Sequence, residues 1–260
     1  NVLPMSFEEF EIKGHPVRWF RELPSTNTYL KEHPELLGKA GQVVVTSHQT
    51  AGRGRRGRLY WSLPGKNLTF SLVLHPECPQ AQLTLYALWS GIAVVRSLEV
   101  LGVTPRLKWP NDVLIVGRKV AGILVESGVE GSEVKYAVLG IGININIDQQ
   151  HLAGVPAANS LYDASGKEIA RDQLLTCLLH EIDALYFDLK QGQTPLAQWK
   201  GLLDTLGKQV DVTSGDHSYS GLAEDIDEIG NLRVRLDDGQ LVTLTSGDVT
   251  LNAPPADVKP

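Results

Sequence analysis

The feature that most constrains this chain is a run at residues 52–58, which reads Gly-Arg-Gly-Arg-Arg-Gly-Arg. Glycine adopts backbone angles that are strained for other residues, so such a run is typical of a turn-rich loop. Its four arginines give that loop several forked, permanently charged donors. The run therefore predicts a loop that bends close to an anionic ligand and binds it.

Three hypotheses fit a basic loop of this kind: a solvated surface loop, a nucleic-acid arm, or the wall of a small-molecule pocket. Arginine runs commonly contact the phosphates of nucleic acids. The chain as a whole carries a formal net charge of −6, whereas nucleic-acid domains usually present a broad basic surface. We therefore expect no DNA partner, and we interpret the loop as part of a pocket for a phosphorylated or adenylated small molecule.

Length and composition indicate a globular protein of the reducing cytosol. With 260 residues, 42% of them apolar, the chain can bury one large core and still form a small second domain. Its two cysteines, Cys78 and Cys177, form neither a disulfide framework nor a CxxC metal motif. No apolar run approaches the roughly 20 residues of a membrane span. We expect a cytoplasmic location and no membrane partner.

Hydrophobic periodicity predicts alternating strands and helices around the loop. Val43–Val45 form a β-branched run typical of a buried strand, which leads directly to Gln49 and the loop. Residues 68–74 alternate with period two, which predicts a strand with one buried face. The further elements predicted in this half are a strand at 17–20, a helix at 28–33 capped by Ser25 or Thr26, and a helix at 82–101.

Two apolar runs separated by a Gly-Arg turn, at 114–116 and 119–126, predict a hairpin that places Asp112 and Lys119 on one sheet. A third strand, at 136–147, carries Gly140 and Gly142 on one face, where a flat ligand or another backbone can approach closely. The chain has no Walker P-loop and no dinucleotide fingerprint. Any nucleotide must therefore be bound in another way.

The type of predicted secondary structure changes at Gly207. Before it, residues 171–189 and 195–206 show helical patterns. After it, four short strands are predicted at 209–213, 219–227, 232–236 and 241–245, separated by turns such as Asp238-Gly239. About fifty residues of this kind are typical of a small barrel.

The order of these motifs resembles that of the biotin protein ligases over nearly the whole chain. The residues that carry the resemblance are Ser25-Thr26-Asn27, the segment from Gln49 to Arg58, Lys108-Trp109-Pro110-Asn111-Asp112, the segment from Lys119 to Glu126, and Gly140-Ile141-Gly142-Ile143-Asn144. The resemblance implies an α+β fold with a mixed central β-sheet flanked by helices and a C-terminal SH3-like barrel. We accordingly expect a catalytic domain at 1–206, an SH3-like domain at 207–253 and a tail at 254–260.

The resemblance also implies a two-step reaction. Biotin and MgATP first give biotinyl-5′-AMP and pyrophosphate. A lysine of a biotin carboxyl carrier protein, such as a subunit of acetyl-CoA carboxylase, then attacks this anhydride and releases AMP. The chain resembles the monofunctional type, which lacks an N-terminal DNA-binding domain, and a homodimer is a common default for such enzymes.

The family's site residues transfer to this chain through the matching motifs. Lys119, Arg53 and Asp112 are the implied catalytic residues, and the resemblance implies no metal ligand set in the protein itself. The implied biotin-binding residues are Ser25, Thr26, Gln49, Gly52, Arg53, Lys119 and Gly122. The implied nucleotide-binding residues are Arg55, Arg56, Arg58, Asn111 and Asn144.

Physical chemistry supports the main assignment and leaves others open. A carboxylate and a polyphosphate repel each other, so a fixed ammonium such as that of Lys119 lowers the barrier where charge develops. Asp112 could orient the acceptor lysine, deprotonate it or assist Mg²⁺. Trp109 is expected in the core, while Tyr60 and Trp61 both remain candidates for the ring that lines the pocket.

Three alternative functions belong to different classes. The first is a lipoate or octanoate ligase or transferase of the same fold. The second is a fragment of a biotin-responsive repressor, and the third is a non-catalytic biotin-binding module. The biotin-type arginine/glycine signature favours the ligase.

Overall fold

A computed structural model describes residues 6–76, 78–152, 155 and 157–251, and it contains two β-sheets. The eight-stranded sheet has the order β1-β2-β3-β4-β8-β7-β6-β5. Only the β2–β3 pair in it is parallel. Its strands are β1 (Phe7–Ile12), β2 (His15–Phe20), β3 (Val43–Thr46), β4 (Asn67–Leu74), β5 (Pro105–Lys108), β6 (Asp112–Ile115), β7 (Arg118–Glu130) and β8 (Glu133–Asn144).

Helices cover this sheet, and the two longest pack against each other on one of its faces. Their apolar positions join the buried residues of the central strands in one large core. The helices are α1 (Thr26–Glu32), α2 (Pro34–Leu37), α3 (Leu83–Glu99), α4 (Gln149–Leu152), α5 (Leu161–Ser165), α6 (Arg171–Lys190) and α7 (Leu196–Leu202). None of the helices described here is long and apolar enough to cross a membrane.

Strand β4 differs from its prediction in one respect, since all eight of its residues are buried. Leu68, Phe70, Leu72 and Leu74 face the large core, as the alternation predicts, whereas Val73 belongs to a smaller second cluster. The other face of β4 is covered by α1, where Ser71 Oγ lies within hydrogen-bond distance of Thr26 Oγ1, at 2.7 Å, and of Asn27 Oδ1, at 2.5 Å. A polar side chain buried in this way is stable because it has partners. The alternation therefore indicated side-chain direction, and only the structure shows what covers each side.

The C-terminal sheet has five antiparallel strands in the order β12-β11-β10-β9-β13. They are β9 (Gln209–Ser214), β10 (His217–Ile226), β11 (Leu232–Leu236), β12 (Leu241–Leu244) and β13 (Asp248–Leu251). Four of these were predicted; β13 was not, and it pairs with β9. The α+β class, with a large mixed sheet, flanking helices and a C-terminal antiparallel sheet, is confirmed. The predicted tail lies outside the described residues.

Trp109 joins the two sheets. It is buried, as predicted, with 1% of its surface exposed. Its indole N–H donates to the Gly230 carbonyl at 2.9 Å, and its backbone N–H donates to the Thr205 hydroxyl at 2.9 Å. Because Asn111 and Asp112 follow directly in the chain, the same segment that reaches the C-terminal sheet also leads to the pocket described below.

Candidate active site

A pocket opens between the N-terminus of α1, the arginine-rich loop and the middle of the large sheet. Its floor is formed by β4, β7 and β8, where small residues such as Gly122, Gly140 and Gly142 face the cavity. Polar and charged side chains surround this floor, which suits a ligand with both apolar and anionic parts. These side chains are Ser25, Thr26, Asn27, Gln49, Arg53, Arg55, Arg58, Tyr60, Thr69, Asn111, Asp112, Lys119 and Asp248.

The wall at α1 is built by a helix cap and a buried amide. Ser25 accepts a hydrogen bond from the Thr28 N–H and so begins the helix, as one of the two predicted caps. Gln49 Oε1 accepts from the backbone N–H of Thr26 at 2.9 Å and from its hydroxyl at 3.3 Å. These bonds fix the amide so that its Nε2 lies against Gly52. The wall thus presents oriented donors and acceptors in a buried place.

The arginine-rich loop folds as a compact turn. Residues 55–57 form one 3₁₀ turn, and a short bridge pairs Arg53 with Leu59 at the loop's base. Gly57 has a φ of 74°, in the left-handed region that glycine adopts without strain. Arg56 precedes it with a φ of 52°, which is uncommon for a residue with a side chain. The predicted turn-rich loop is present, and one of its three glycines has a left-handed φ.

Each arginine of the loop has an oxygen partner. Arg53 Nη2 lies 3.5 Å from Glu126 Oε1, on the large sheet. Arg55 Nη1 donates to Asn111 Oδ1 at 3.1 Å and to the Gly247 carbonyl at 3.3 Å. Burial lowers the pKa of Arg55 from its ordinary value. Arg56 Nη1 donates to the Thr213 carbonyl at 3.0 Å, and Arg58 Nη2 donates to Asp248 Oδ2 at 2.6 Å.

Lys119 and Asp112 lie on the hairpin of β6 and β7, on one sheet as the sequence predicts, and there they form an ion pair. The Lys119 Nζ lies 2.6 Å from Asp112 Oδ1. The Lys119 side chain passes over Gly122, because a Cβ placed there would come 3.0 Å from the Nζ. The Lys119 backbone is held on its other side, where its N–H donates to Ala157 and its carbonyl accepts from Asn159, both at 2.7 Å. The backbone bonds therefore hold this segment of β7 in place, and the ion pair holds the ammonium at the pocket.

Glu126 links α1 to the loop. Its Oε2 accepts from Asn27 Nδ2 at 2.9 Å, and its Oε1 accepts from Lys31 Nζ at 2.9 Å and lies near Arg53. Burial opposes ionisation, but the hydrogen bonds from Lys31 and Asn27 outweigh it and hold the pKa of Glu126 below its ordinary value. The carboxylate can thus hold Arg53 beside the pocket while remaining charged.

Tyr60 is the ring that lines the pocket, whereas Trp61 is 45% exposed. The Tyr60 ring lies over Gly142, so close that any Cβ at this position would collide with it. Burial raises the pKa of Tyr60, and its hydroxyl accepts from Asn67 Nδ2 at 3.4 Å. The bare face predicted at Gly142 is therefore occupied by a side chain of the protein itself.

Ten of the thirteen predicted site residues line the pocket. The other three lie beside it: Gly52 packs against the Tyr60 carbonyl, Arg56 reaches Thr213, and Asn144 bonds to Asn67 and to the Asn159 carbonyl. Among the polar side chains of the lining, the predicted set lacks four, Asn27, Tyr60, Thr69 and Asp248, and it also lacks Glu126, which lies near Arg53. Asn27 and Glu126 stand in the quoted motifs, so proximity to Ser25 and Lys119 was an available signal. Asp248 had none.

Within the part of the chain that the structure describes, no group of three or more histidine, cysteine, aspartate or glutamate side chains could hold a metal ion. Asp112 and Asp248 line the pocket, and each is bonded to a cation of the protein. This donor set fits a divalent ion that is carried mainly by the phosphates of a bound nucleotide.

Sequence comparisons match both parts of this chain to known protein families. Residues 19–144 match the Biotin/lipoate A/B protein ligase family, and residues 205–251 match the Biotin protein ligase C terminal domain. The chain is 35% identical over 234 residues to a biotin--[acetyl-CoA-carboxylase] ligase of Paracoccus denitrificans, covering 81% of this chain and 90% of the relative. It is 31% identical over 246 residues to the bifunctional ligase/repressor BirA of Bacillus subtilis, covering 93% and 75%.

A solved structure shows the same fold. The biotin protein ligase from Aquifex aeolicus, in complex with biotin and ATP, superposes with a TM-score of 0.77 at 28% identity, covering 92% of this chain and 99% of that one. Fold, motif order and sequence identity over most of both chains therefore agree, and this chain belongs to the biotin protein ligase family.

Proposed function

We propose that this chain attaches biotin to a lysine of a biotin carboxyl carrier protein, using ATP and a biotinyl-5′-AMP intermediate. It is then an AMP-forming biotin–[biotin carboxyl-carrier protein] ligase. The observation that carries the proposal is the Lys119–Asp112 pair, with 2.6 Å between Nζ and Oδ1, in a pocket that also holds an oriented amide wall and an arginine-rich loop. Family membership supports the reaction class.

In the first step a biotin carboxylate oxygen attacks the α-phosphorus of ATP, and the bond to the β-phosphate breaks to release pyrophosphate. Both reactants are anions, so a fixed positive charge between them lowers the barrier. Lys119 fits this role because the backbone contacts to Ala157 and Asn159 hold its strand segment in place. Arg55 and Arg58 also line the pocket and would bind the phosphates, with Asn111 orienting Arg55.

The wall at α1 is proposed to hold the ureido ring of biotin. A ureido group has two N–H donors and one carbonyl acceptor, and its burial without partners would cost several kcal/mol. Ser25, Thr26 and Gln49 provide hydroxyl and amide groups in a buried place, and the bonds between Thr26 and Gln49 orient them before ligand arrives. Gly122 lets the Lys119 side chain pass close to the floor.

In the second step the ε-amino nitrogen of the carrier lysine attacks the biotinyl carbonyl carbon, and AMP leaves. We propose that Asp112 acts in both steps as an orienting group, because its contact with the Lys119 ammonium is already formed. Rates of the two half-reactions test this role. If Asp112→Asn slowed only transfer to the carrier and left adenylate formation unchanged, Asp112 would be a base for the acceptor lysine.

Mg²⁺ is proposed to enter as part of MgATP, where it would neutralise phosphate charge. The lining carboxylates Asp112 and Asp248 are already bonded to Lys119 and Arg58, so the protein offers few free ligands of its own. An essential ion bound without nucleotide would contradict this part of the proposal. Equilibrium dialysis of ⁵⁴Mn²⁺ with and without ATP measures it.

Biotin is favoured over lipoate by the match to the biotin protein ligase C-terminal domain. The match at residues 19–144 is to a family that includes both activities, so it does not discriminate. Competition between labelled biotin and lipoate for adenylation tests the substrate directly. Activation of lipoate with biotin ignored would refute the biotin assignment.

The proposal includes three features of the whole protein. We propose a catalytic domain at 1–206 and an SH3-like domain at 207–253, supported by the two separate sheets. A cytoplasmic location is proposed because ATP is consumed.

A homodimer is proposed through β1, an edge strand with exposed Phe7 and Phe10, since strand edges pair readily. A molar mass in light scattering that stayed monomeric at all concentrations would refute the dimer.

The deciding experiment is mass spectrometry of a biotin carboxyl carrier domain incubated with the chain, biotin and ATP. We expect one biotinyl adduct on one lysine, dependent on ATP and accompanied by AMP. A carrier domain whose acceptor lysine is replaced by arginine is the control and should stay unmodified. If the wild-type carrier stayed unmodified although this chain bound biotin and ATP, the chain would be a binding module and not an enzyme.

A further inference from the structure

Asp248 is the carboxylate that the C-terminal sheet brings to the mouth of the pocket. It begins β13, and its Oδ2 lies 2.6 Å from Arg58 Nη2 and 3.5 Å from Arg56 Nη1. It also belongs to the lining of the pocket itself. One carboxylate of the second sheet therefore binds two arginines of the loop that lies over the first.

Backbone oxygens of the same sheet region bind the loop as well. Thr213 in β9 accepts from Arg56 at 3.0 Å, and Gly247, just before β13, accepts from Arg55 at 3.3 Å. The three arginines that the family resemblance assigns to the nucleotide, Arg55, Arg56 and Arg58, are thus all held by oxygens of the C-terminal sheet region. Among these oxygen partners only the Asp248 carboxylate is charged, and it binds the two more exposed arginines, Arg56 and Arg58.

We propose that Asp248 is a positioning residue for Arg56 and Arg58. It binds these two arginines when no nucleotide phosphate does, and by competing with the phosphates it lowers the affinity for ATP. A carboxylate and a phosphate both bind a guanidinium group through charge-assisted hydrogen bonds, so the two compete for the same donors. Asp248 also repels a triphosphate in the same pocket. Both effects weaken ATP binding. This inference depends on the proposed function, because it assumes that the loop arginines bind ATP.

Competition for the arginines links the nucleotide to the C-terminal sheet. If phosphates take Arg56 and Arg58, Asp248 and the Thr213 carbonyl lose their partners, and the sheet loses contacts to the loop. Thermodynamic linkage requires the reverse effect to be equal: contacts that hold the sheet against the loop must weaken ATP binding by the same factor. ATP should therefore raise amide hydrogen exchange at residues 247–251 of the wild-type protein.

The test measures the dissociation constant for ATP by calorimetry on the full chain. For Asp248→Asn, which keeps size and removes charge, we expect ATP to bind roughly two- to tenfold more tightly, since two partly exposed ion pairs are lost. Asp248→Glu, which keeps the charge, should bind ATP like the wild type. Asp216→Asn is the matched control, because Asp216 is an exposed aspartate of the same sheet region and loses the same charge.

Two further variants separate this role from a merely structural one. In an Arg56→Ala/Arg58→Ala background, Asp248→Asn should no longer change the ATP affinity, because the competition acts through these arginines. Asp248→Ser replaces the asparagine variant if thermal melting shows that the latter is unfolded. Unchanged or weaker ATP binding in a folded Asp248→Asn protein would overturn the inference. If the wild type binds no ATP at all, the proposed function fails instead.

Discussion

Lys119 and Arg53 are two cations of the site with different surroundings. Lys119 lies on the sheet with its Nζ 2.6 Å from Asp112 Oδ1. Arg53 lies in the loop, with its Nη2 3.5 Å from Glu126 Oε1. A short ion pair on a strand fixes a charge more firmly than a longer one on a loop. We therefore expect Lys119 to act on the rate of the first step and Arg53 to act on retention of the intermediate.

Replacing Lys119 by alanine should slow biotin-dependent pyrophosphate release at least tenfold, because one well-placed charge is worth more than about 1.4 kcal/mol in a transition state. The measurement is a coupled pyrophosphate assay with saturating ATP. Lys135→Ala is the control, since Lys135 forms an exposed ion pair with Glu130 at 3.1 Å, outside the pocket lining. Equal rates for the Lys119 variant and the wild type would refute its role.

Replacing Arg53 by glycine should let biotinyl-5′-AMP leave the pocket before transfer. The loop would lose its contact with Glu126 on the large sheet, and with it one attachment of the loop near the pocket. We expect biotin on many lysines of a bystander protein, measured by peptide mass spectrometry, whereas Arg53→Lys should largely retain the adenylate. A glycine variant that labels only the carrier would argue against closure by this loop.

The residues of the site could be predicted where they stand in local motifs. Lys119 and Asp112 lie seven positions apart on one hairpin, so the sequence brings them together by local geometry. Asp248 could not be found in this way, because 190 residues separate it from Arg58 and only the docking of two sheets places them in contact. Contacts of this kind depend on tertiary packing and leave no local pattern.

At the scale of single elements, a substitution of Gly142 tests how closely the Tyr60 ring packs on β8. A methyl group there would collide with the half-buried Tyr60 ring, and overpacking of this kind typically costs about 1–3 kcal/mol. Gly142→Ala should therefore lower the free energy of unfolding by that amount and weaken biotin binding, as measured by urea denaturation and calorimetry. Gly38→Ala is the control, since nothing lies within 4 Å of a Cβ at that helix end. Equal stability of the two variants would show that the ring moves freely.

His15 connects β2 to α6 and to the segment before β3. Its ring nitrogens bond to Asp183 Oδ2 at 3.0 Å and to the Gly41 carbonyl at 2.9 Å. The hydrogen bond with Asp183 raises the pKa of His15 above its ordinary value of 6.5, although burial opposes this. The folded state therefore favours the protonated ring, and its stabilisation is complete below pH 6.5 and is lost as pH rises through the higher folded pKa.

Unfolding in urea between pH 5.5 and 8.5 measures this effect. The free energy of unfolding of the wild type, minus that of His15→Gln, should be largest at the acid end and fall as the pH rises. Asp183→Asn should reduce the same pH dependence, because it removes the charge that favours the protonated ring. A difference that grew with pH would contradict the assigned direction.

The long elements could be predicted from periodicity, and the short edge strands could not. Helices α3 and α6 and the hairpin of β6 and β7 carry many apolar positions, so their type is well determined. Strands β1, β5 and β13 were not predicted. β5 and β13 have four residues each, and β1 is almost entirely exposed, so these strands carry little hydrophobic pattern and form by pairing with a neighbour.

At the scale of the whole molecule, the change from helical patterns to short strands at Gly207 indicated two units. It did not indicate how these units pack together. The structure places the loop arginines and Trp109 at the contact between the two sheets. The arginine contacts are polar and partly exposed, whereas the indole is buried. Their roles should therefore differ: the arginines tune ligand binding, and Trp109 contributes to the cohesion of the two sheets.

Replacing Trp109 by alanine should lower the free energy of unfolding by about 3–5 kcal/mol, the usual cost of deleting a large buried ring. Trp109→Phe should cost about 1–3 kcal/mol, because the buried Gly230 carbonyl loses its donor. Trp61→Ala is the control, since that ring is 45% exposed and should matter little. Amide exchange at 229–231 and 247–251 should rise in both Trp109 variants, because the ring lies beside Gly230 and Gly247. If exchange rose evenly over the large sheet instead, Trp109 would stabilise the core generally and would not be the specific link between the two sheets.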